Sequence, residues 1–332
     1  MTYMLQAQRS FPPQTSLQGL LKPTASIDWS GIFPRDRTIK PSAGIAAHRR
    51  YYENDVWTKG YFDYVHRCAA FRERWTAALG DVADKTVIEI GCGPGNVFSA
   101  LGLRPETLIG VDVAPGALAY ARAVGYEVLT ADAHDLPFAS AVADIVVINA
   151  TIHHCDDMAG VIAEAARLVA PGGLLVTDHD PQLSAWRFRG VGLFLWYARL
   201  PIYRWLKIGY HSTIEEQNAV LESELHHGPG EGVTKELFEN TLRPLGFDVE
   251  VYPHNHRLGR EVFERRVGPS ELKYQIAQAL SGVNPFSEAA ALSLMCIARR
   301  SRDLDATSGS HARRPAAGEP NRIRLKQVLV PA

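Results

Sequence analysis

Three glycines stand on alternate positions directly after an apolar run, at Gly91, Gly93 and Gly95. Because glycine has no Cβ, such a loop can turn tightly and bring its backbone close to a ligand. Glu89 lies two residues ahead of the first glycine. The fingerprint of dinucleotide-binding loops needs another glycine where this chain has Asn96. The pattern therefore predicts a nucleoside-type ligand and disfavours a standard nicotinamide site.

A second acid, Asp112, ends the next apolar run. It follows the first glycine by about 20 residues, the spacing at which a carboxylate accepts ribose hydroxyls in α/β nucleotide sites. The alternative is a helix N-cap or loop acid, because Ala114 and Pro115 open a helical stretch. The glycine loop before it favours the ribose contact.

Three later segments extend the pattern, at 131–138, 149–155 and 168–173. The first contains Asp132 and Ala133, the second places Asn149 ahead of a His-His pair, and the third ends in Pro-Gly-Gly. In this order, over roughly residues 85–180, the segments resemble the motifs of class I S-adenosylmethionine (SAM) methyltransferases. The similarity is greatest to the type 11 methyltransferases, which include quinone C-methyltransferases and many lipid and natural-product enzymes.

The resemblance implies SAM as the cofactor and methyl transfer by in-line displacement at its sulfonium. Asp132 would accept the adenine amino group, and the backbone amide of Ala133 would meet the adenine ring. The residues that the resemblance and the loop pattern together assign to the cofactor are Glu89, Gly91, Cys92, Gly93, Gly95, Asp112, Val113, Asp132, Ala133 and Asn149. The acceptor atom, O, N or C, is left open.

Catalytic candidates are fewer, because the sulfonium is a good leaving group and the protein mainly aligns the reactants and excludes water. A base is needed only where the acceptor loses a proton, and histidine is suited to that task. The candidates are His153, His154, Asp178, His179 and His211. A structural hydrogen bond is the alternative for at least one member of the His153–His154 pair. For His179 the alternative is a local role beside a helix-capping Asp180.

Metal binding is not expected. Side chains of the adjacent residues 153–157 diverge on any regular backbone, and such side chains rarely converge on one ion. The cysteines are scattered, without the paired spacing of a zinc site or a disulfide framework, which favours a reduced, cytoplasmic compartment. They are Cys68, Cys92, Cys155 and Cys296.

The elements that must position these residues alternate between strand and helix. Strands are predicted at 86–90, 107–111, 127–131, 144–150, 174–178, 246–252 and 291–298, and helices at 96–103, 115–123 and 234–242. Such alternation implies an α/β fold with helices on both faces of a parallel sheet. With the resemblance, it predicts a doubly wound, mostly parallel, seven-stranded Rossmann-like sheet.

The chain outside the motifs divides by composition. The predicted parts are a flexible N-terminal arm at 1–45, an aromatic-rich helical cover at 46–84, the methyltransferase domain at 85–300 with an inserted substrate cover at 181–245, and a disordered tail at 301–332. Within the insertion, 191–206 is apolar but too short and too charged to span a bilayer. It is either a plain cover or dimer contact, or an interfacial patch that makes peripheral membrane contact and admits a lipid or polyprenyl acceptor.

Composition limits the partners. The chain has 332 residues, a formal net charge of −1 and 46% hydrophobic residues, so nothing in its overall charge favours nucleic acid. Residues 1–25 lack the apolar region of a secretory signal. The prediction is methyl transfer to a small-molecule acceptor. The alternatives are a SAM-binding protein without turnover and, less favoured, a nicotinamide oxidoreductase.

Overall fold

The computed structural model describes residues 15–66, 68–207, 213–214, 218, 226 and 228–302. Its centre is one nine-stranded sheet in the order β1-β2-β5-β4-β3-β6-β7-β9-β8. The strands are β1 Ile27–Asp28, β2 Arg35–Asp36, β3 Thr86–Ile90, β4 Thr107–Asp112, β5 Glu127–Thr130, β6 Ala143–Asn149, β7 Val169–Pro181, β8 Phe247–His254 and β9 Ser293–Arg300. From β5 to β7 the strands are parallel, and β9 runs antiparallel to both of its neighbours. The predicted doubly wound, mostly parallel sheet is confirmed, but it has nine strands and not seven, because β1 and β2 extend it beyond the predicted set.

Helices cover both faces of this sheet. They are α1 Thr15–Leu20, α2 Ala43–Tyr52, α3 Asp55–His66, α4 Ala69–Leu79, α5 Asn96–Leu101, α6 Pro115–Ala123, α7 Met158–Leu168, α8 Gly190–Leu206, α9 Lys235–Leu242 and α10 Leu272–Leu280. The central strands are apolar along their length because both faces are buried. On β3, Ile88 and Ile90 belong to one core cluster and Val87 to the other.

The segment before the aromatic-rich region is packed on the sheet, at least from residue 15 onward. The sequence predicts a flexible arm there, whereas Leu17 is 1% exposed in a core cluster. The backbone N–H of Thr130 in β5 donates to the carbonyl of Pro34 at 2.9 Å, beside the β2–β5 pairing. β2 thus satisfies backbone groups that an edge strand would expose. Residues 1–14 of the predicted arm and 303–332 of the predicted tail lie outside the described residues.

The aromatic-rich region forms α2, α3 and α4. On α4, Phe71 and Trp75 are fully buried in the sheet core, so this helix is part of the main domain. α2 begins at an N-cap, Ser42, whose hydroxyl accepts from the backbone N–H of Ile45. The helix lies against the loop after β4, because Arg49 Nε donates to the carbonyl of Val113 at 2.8 Å.

The predicted insertion contains α8, which packs against α10 through a small aromatic cluster. Trp196 of α8 meets Trp186 with ring centroids 5.5 Å apart and Tyr274 of α10 at the same distance. The other side of α8 is exposed to solvent. Within the described ranges, no helix is both long enough and apolar enough to cross a membrane.

The order of the sheet also fixes where a ligand can enter. Strands β3, β4 and β5 extend to one side, and β6 and β7 to the other. The chain therefore reverses its winding between β3 and β6, and the crevice of an open α/β sheet lies beyond the carboxyl ends of the strands at that point.

Candidate cofactor and active site

The glycine turn closes the end of β3 in a backbone conformation that side chains disfavour. Gly91 has φ +65° and Gly95 has φ +81°. A Cβ on Gly91 would lie 2.3 Å from Thr151 Oγ1, and one on Gly95 would lie 2.8 Å from the ring of Tyr126. The turn therefore needs glycine both for its torsion angles and for the close approach of neighbouring groups.

We expect Gly91→Ala to lower the free energy of unfolding by about 2–4 kcal/mol, since it adds a steric conflict to the strained torsion. Gly102→Ala is the matched control, because Gly102 has φ +67° but no atom within 4 Å of the added Cβ. Urea denaturation of both variants separates the cost of the positive φ, which both share, from the cost of the steric conflict, which only Gly91→Ala has. An equal loss in the two variants would contradict the packing argument at Gly91.

A cavity of about 310 Å³ opens at the switch point of the sheet. All the residues assigned to the cofactor from the sequence line it except Gly95, which lies in the turn behind it. The lining members of that set are Glu89, Gly91, Cys92, Gly93, Asp112, Val113, Asp132, Ala133 and Asn149. Residues from four strand ends, those of β3, β4, β5 and β6, are thus brought together at one site.

Asp112 is held rigidly at the cavity wall. Its Oδ2 accepts from the backbone N–H of Gly93 at 2.9 Å and its Oδ1 from that of Ala114 at 2.8 Å. Burial raises the pKa of its carboxyl, and these backbone bonds oppose that shift. Each carboxylate oxygen keeps a further lone pair for a ligand donor.

Glu89 lies beneath the turn with 1% of its surface exposed. Tyr126 donates its phenolic hydrogen to Glu89 Oε2 at 2.7 Å. Burial raises the pKa of Glu89 to about 8, and the hydrogen bond from Tyr126 opposes that shift. Ionisation of Glu89 would be favoured by a cation placed in the cavity.

Asp132 has a partner that the sequence analysis did not single out. His134 donates its backbone N–H to Asp132 Oδ1 at 3.0 Å and brings its Nδ1 to 2.7 Å from the same oxygen. Burial opposes ionisation of Asp132, but these bonds outweigh it and lower the pKa of the carboxyl. The same bond raises the pKa of His134. The Asp-x-His spacing in the sequence is the pattern from which this contact between Asp132 and His134 could have been predicted.

α2 supplies a wall of the cavity; it lies at the start of the predicted aromatic-rich cover, but none of its residues was among the predicted site residues. Ser42, Ile45, His48 and Tyr52 line the cavity from this helix or its N-cap. The ring of His48 meets that of His154 edge to face, with centroids 4.2 Å apart. Positions 45, 48 and 52 share one face of a helix, which is the periodic signal that could have identified them. None of the described residues of 181–245 lines this cavity.

The histidine candidates occupy three different environments. His154 lines the cavity. His153 is buried, and its ring centroid lies 3.9 Å from that of His154. The Nδ1 of His153 lies 2.8 Å from Asp180 Oδ1. His211 lies outside the described residues.

His179 belongs to a separate cluster at the end of β7. Arg74 Nη2 lies 3.1 Å from its Nε2, and because arginine only donates, that nitrogen accepts. Burial lowers the pKa of His179 to about 3. Asp178 forms an ion pair with the same arginine, with Arg74 Nε 2.8 Å from Asp178 Oδ2. This geometry does not fit the predicted role of His179 or Asp178 as the base.

Across the described part of the chain, no group of three or more His, Cys, Asp or Glu side chains is arranged to hold a metal ion.

The strands that form this cavity lie within a segment that matches a known protein family. Residues 88–177 match the family model described as "Methyltransferase domain". Residues 88–177 are a methyltransferase domain. The matched segment runs from β3 to β7 and contains the glycine turn, Asp112, Asp132 and Asn149.

Two curated relatives match around this methyltransferase domain. The ubiquinone biosynthesis O-methyltransferase of Thiobacillus denitrificans is 33% identical over 139 residues, which are 38% of this chain and 56% of that protein. The fatty-acid O-methyltransferase of Mycolicibacterium smegmatis is 36% identical over 114 residues, 32% of this chain and 42% of that protein. The chain thus spans about half the length of the curated relatives it matches.

Among solved structures, the N-methyltransferase NodS of Bradyrhizobium japonicum WM9 aligns with a TM-score of 0.45 and 15% identity, over 78% of this chain and 99% of that one.

The cofactor of the methyltransferase domain is S-adenosylmethionine. The cavity fits its chemistry. The glycine turn leaves room for close backbone approach, and Asp112 retains acceptor capacity. Both amide atoms of Asn96 and the Oδ1 of Asn149 are buried without a hydrogen bond from any described residue. Since buried polar atoms normally have partners, these atoms are suited to ligand contact.

Proposed function

We propose that this chain transfers a methyl group from SAM to a small, hydrophobic acceptor. The observation that carries the proposal is the cavity at the switch point of the sheet, inside the methyltransferase domain. The cofactor, when bound, supplies an electrophilic methyl group on a sulfonium. The chain's own residues then need to bind, align and exclude water.

The proposed roles follow from position in the cavity. Asp112, fixed by two backbone N–H groups, accepts the ribose hydroxyls. Asp132 and Ala133 contact the adenine edge from the end of β5. The apolar and aromatic side chains of α2 close the cavity from solvent, and Arg49 fastens that helix to the loop after β4.

The relatives support a hydrophobic acceptor. One is named for ubiquinone biosynthesis and the other for fatty acids, and both are named O-methyltransferases. We therefore propose an oxygen nucleophile on an apolar molecule.

The test is transfer of label from methyl-labelled SAM into an extract of the host, which is then divided into lipid and aqueous phases. Label in the lipid phase supports the proposal. Label in the aqueous phase only would replace the hydrophobic acceptor by a polar metabolite. SAM binding without label in either phase would support the alternative, a methyltransferase-fold protein without turnover.

We further propose that the exposed face of α8 rests on a lipid membrane. Phe194 is 70% exposed and Trp205 is 82% exposed. The other large apolar residues of this face are Val191, Leu195, Ile202 and Leu206. At 100° per residue all six fall within an arc of about 120°, opposite the side that packs on Trp186. We call these six residues the α8 apolar face.

The charges around the α8 apolar face match an anionic lipid surface. Residues 187–207 contain no acidic residue, and Arg187, Arg189, Arg204 and Lys207 lie at the two ends of the helix. Basic residues attract the negative surface of such membranes, while aromatic and aliphatic side chains enter the interface. Docking there would bring the enzyme to an acceptor dissolved in the bilayer.

We expect the double variant Phe194→Ser, Trp205→Ser to lose at least about 10-fold of its partitioning onto vesicles containing phosphatidylglycerol, because two large side chains leave the interface. Vesicle co-sedimentation measures it. Ile32→Ser is the matched control, since Ile32 is also 82% exposed but lies in the β1–β2 loop. Equal binding of the wild type and the double variant would remove the α8 apolar face from the proposal.

A further inference from the structure

His134 is held at both of its ring nitrogens, and the two contacts together fix its tautomer. The backbone N–H of Asp157 donates to Nε2 at 3.2 Å, so this nitrogen carries the lone pair. Nδ1 therefore carries the hydrogen of the neutral ring and donates it to Asp132 Oδ1 at 2.7 Å. The ring thus joins the loop after β5 to Asp157, the N-cap of α7, and all three residues line the cavity.

The two carboxylate oxygens of Asp132 have different surroundings. Oδ1 accepts two hydrogen bonds from His134, one from its backbone N–H at 3.0 Å and one from Nδ1. Oδ2 receives no hydrogen bond from any residue that the structure describes. The side chain of Asp132 is 24% exposed at the wall of the cavity. Oδ2 is therefore the oxygen that is left for a ligand.

The bonds from His134 also limit what Asp132 can bind. They outweigh the effect of burial and lower the pKa of the Asp132 carboxyl, which therefore stays ionised. An ionised carboxylate only accepts hydrogen bonds. Oδ2 can accept from the exocyclic amino group of an amino-purine, whereas an oxo-purine has a second acceptor at that position, which would leave Oδ2 unpaired and repelled.

We infer that His134 sets the selectivity of the cofactor site for an amino-purine over an oxo-purine. Its two bonds to Oδ1 hold the Asp132 carboxylate in one orientation, with Oδ2 left for the amino group. His134 is a positioning residue in this role, because it acts on the base through Asp132. The inference rests on the proposed contact between Asp132 and adenine, and it names the residue that makes this contact selective.

A fixed orientation of the carboxylate is needed because an oxo-purine also has a hydrogen to donate. Its ring nitrogen next to the carbonyl carries a hydrogen, whereas the same nitrogen in an amino-purine is an acceptor. A carboxylate that is free to turn could accept this ring N–H and so bind either base. The bonds from His134 to Oδ1 oppose that rotation, so their removal should reduce the selectivity.

Two substitutions of His134 separate its two ring contacts. The amide nitrogen of an asparagine can occupy the position of Nδ1, so His134→Asn keeps a donor to Asp132 and loses the contact with Asp157. The longer glutamine side chain brings its amide near the position of Nε2. His134→Gln therefore keeps an acceptor for Asp157 and loses the side-chain donor to Asp132.

Isothermal titration calorimetry with S-adenosylhomocysteine and S-inosylhomocysteine measures the selectivity without turnover. The bond to Asp132 raises the pKa of His134, and the charges of Asp156 and Asp157 add to this shift. Binding is therefore measured at about pH 8.5, where the ring is neutral. We expect the wild type to bind the adenosyl ligand about 100-fold more tightly or better. His134→Asn should keep this ratio within about 3-fold, and His134→Gln should lower it by about 10-fold or more.

Three results of the calorimetry would overturn the inference. They are equal affinity of the wild type for the two ligands, a wild-type ratio in His134→Gln, and an equal fall of the ratio in both variants. The last result would show that the donor to Asp132 is not what sets the selectivity.

Ring ¹⁵N shifts of His134 give a second test that needs no folded variant other than the one used for assignment, His134→Asn. The wild type should show the Nδ1–H tautomer at the same pH, and an Nε2–H tautomer would overturn the inference. Failure of methyl transfer to any acceptor in the host extract, with the wild-type selectivity for the adenosyl ligand intact, would defeat the proposed function and leave the role of His134 standing.

Discussion

Asp112→Ala should weaken SAM binding by about 100-fold, or about 3 kcal/mol, while the protein stays folded. The carboxylate is the buried acceptor at the end of β4, and it also fixes the glycine turn by accepting from the backbone N–H of Gly93. Its removal would therefore take away the proposed ribose contacts and also weaken the backbone of the glycine turn. Isothermal titration calorimetry with SAM measures the loss, and circular dichroism checks the fold.

The control is Asp135→Ala, in the neighbouring motif. Asp135 is exposed, pairs with Lys22 at 3.4 Å and does not line the cavity. It should bind SAM with wild-type affinity. If Asp112→Ala also keeps wild-type affinity, the ribose assignment fails and Asp112 is only a cap for the turn.

Arg74→Met should lower the free energy of unfolding by about 3–5 kcal/mol, the usual result of breaking a buried ion pair at one partner. Arg74 and Asp178 are both 0% exposed, so the variant leaves a carboxylate buried beside His254 without its permanent cation. Urea denaturation at neutral pH measures the loss.

The pH dependence gives an independent check on the same pair. Burial opposes ionisation of Asp178, but the charges of Arg74 and His254 outweigh it and hold the pKa of the carboxyl well below its usual range. A lowered folded-state pKa contributes stability that is present above the unfolded value of about 3.9 and is lost as the pH falls through the folded value. In Arg74→Met, the free energy of unfolding should therefore fall less steeply than in the wild type as the pH is lowered below about 4.

Arg72→Met is the control for this prediction. Arg72 lies on the same helix with its side chain exposed, and its loss should change stability by no more than about 0.5 kcal/mol. A cost for Arg74→Met no larger than that of Arg72→Met would show that the ion pair does not stabilise the fold.

The parts of the fold that the sequence predicted are those with local signals. β3 and α6 have the predicted bounds. α9 starts one residue after the predicted helix start at Thr234, whose hydroxyl caps it by accepting from Leu237 N–H. The apolar period, the glycines and the capping residues act within a few positions of one another, so they can be seen without knowledge of the tertiary contacts.

The edges of the fold could not be predicted in this way. β1 and β2 have two residues each, and they exist because β5 offers unpaired backbone groups nearly 100 positions later in the chain. The polar, proline-containing segment around β1 and β2 has no hydrophobic periodicity from which such pairing could be predicted. Composition alone therefore predicted a flexible arm where the structure has part of the sheet.

The cofactor side of the site was largely determined by the sequence, and the acceptor side was decided by the tertiary structure. Parallel strands end at one edge, so residues that follow successive strands, such as Gly91, Asp112 and Asp132, must meet there. Which histidine can take a proton depends instead on partners far along the chain. Arg74 donates a hydrogen bond to the ring of His179, and Asp180 holds the ring of His153. Such charge pairing and burial arise only when distant segments pack together.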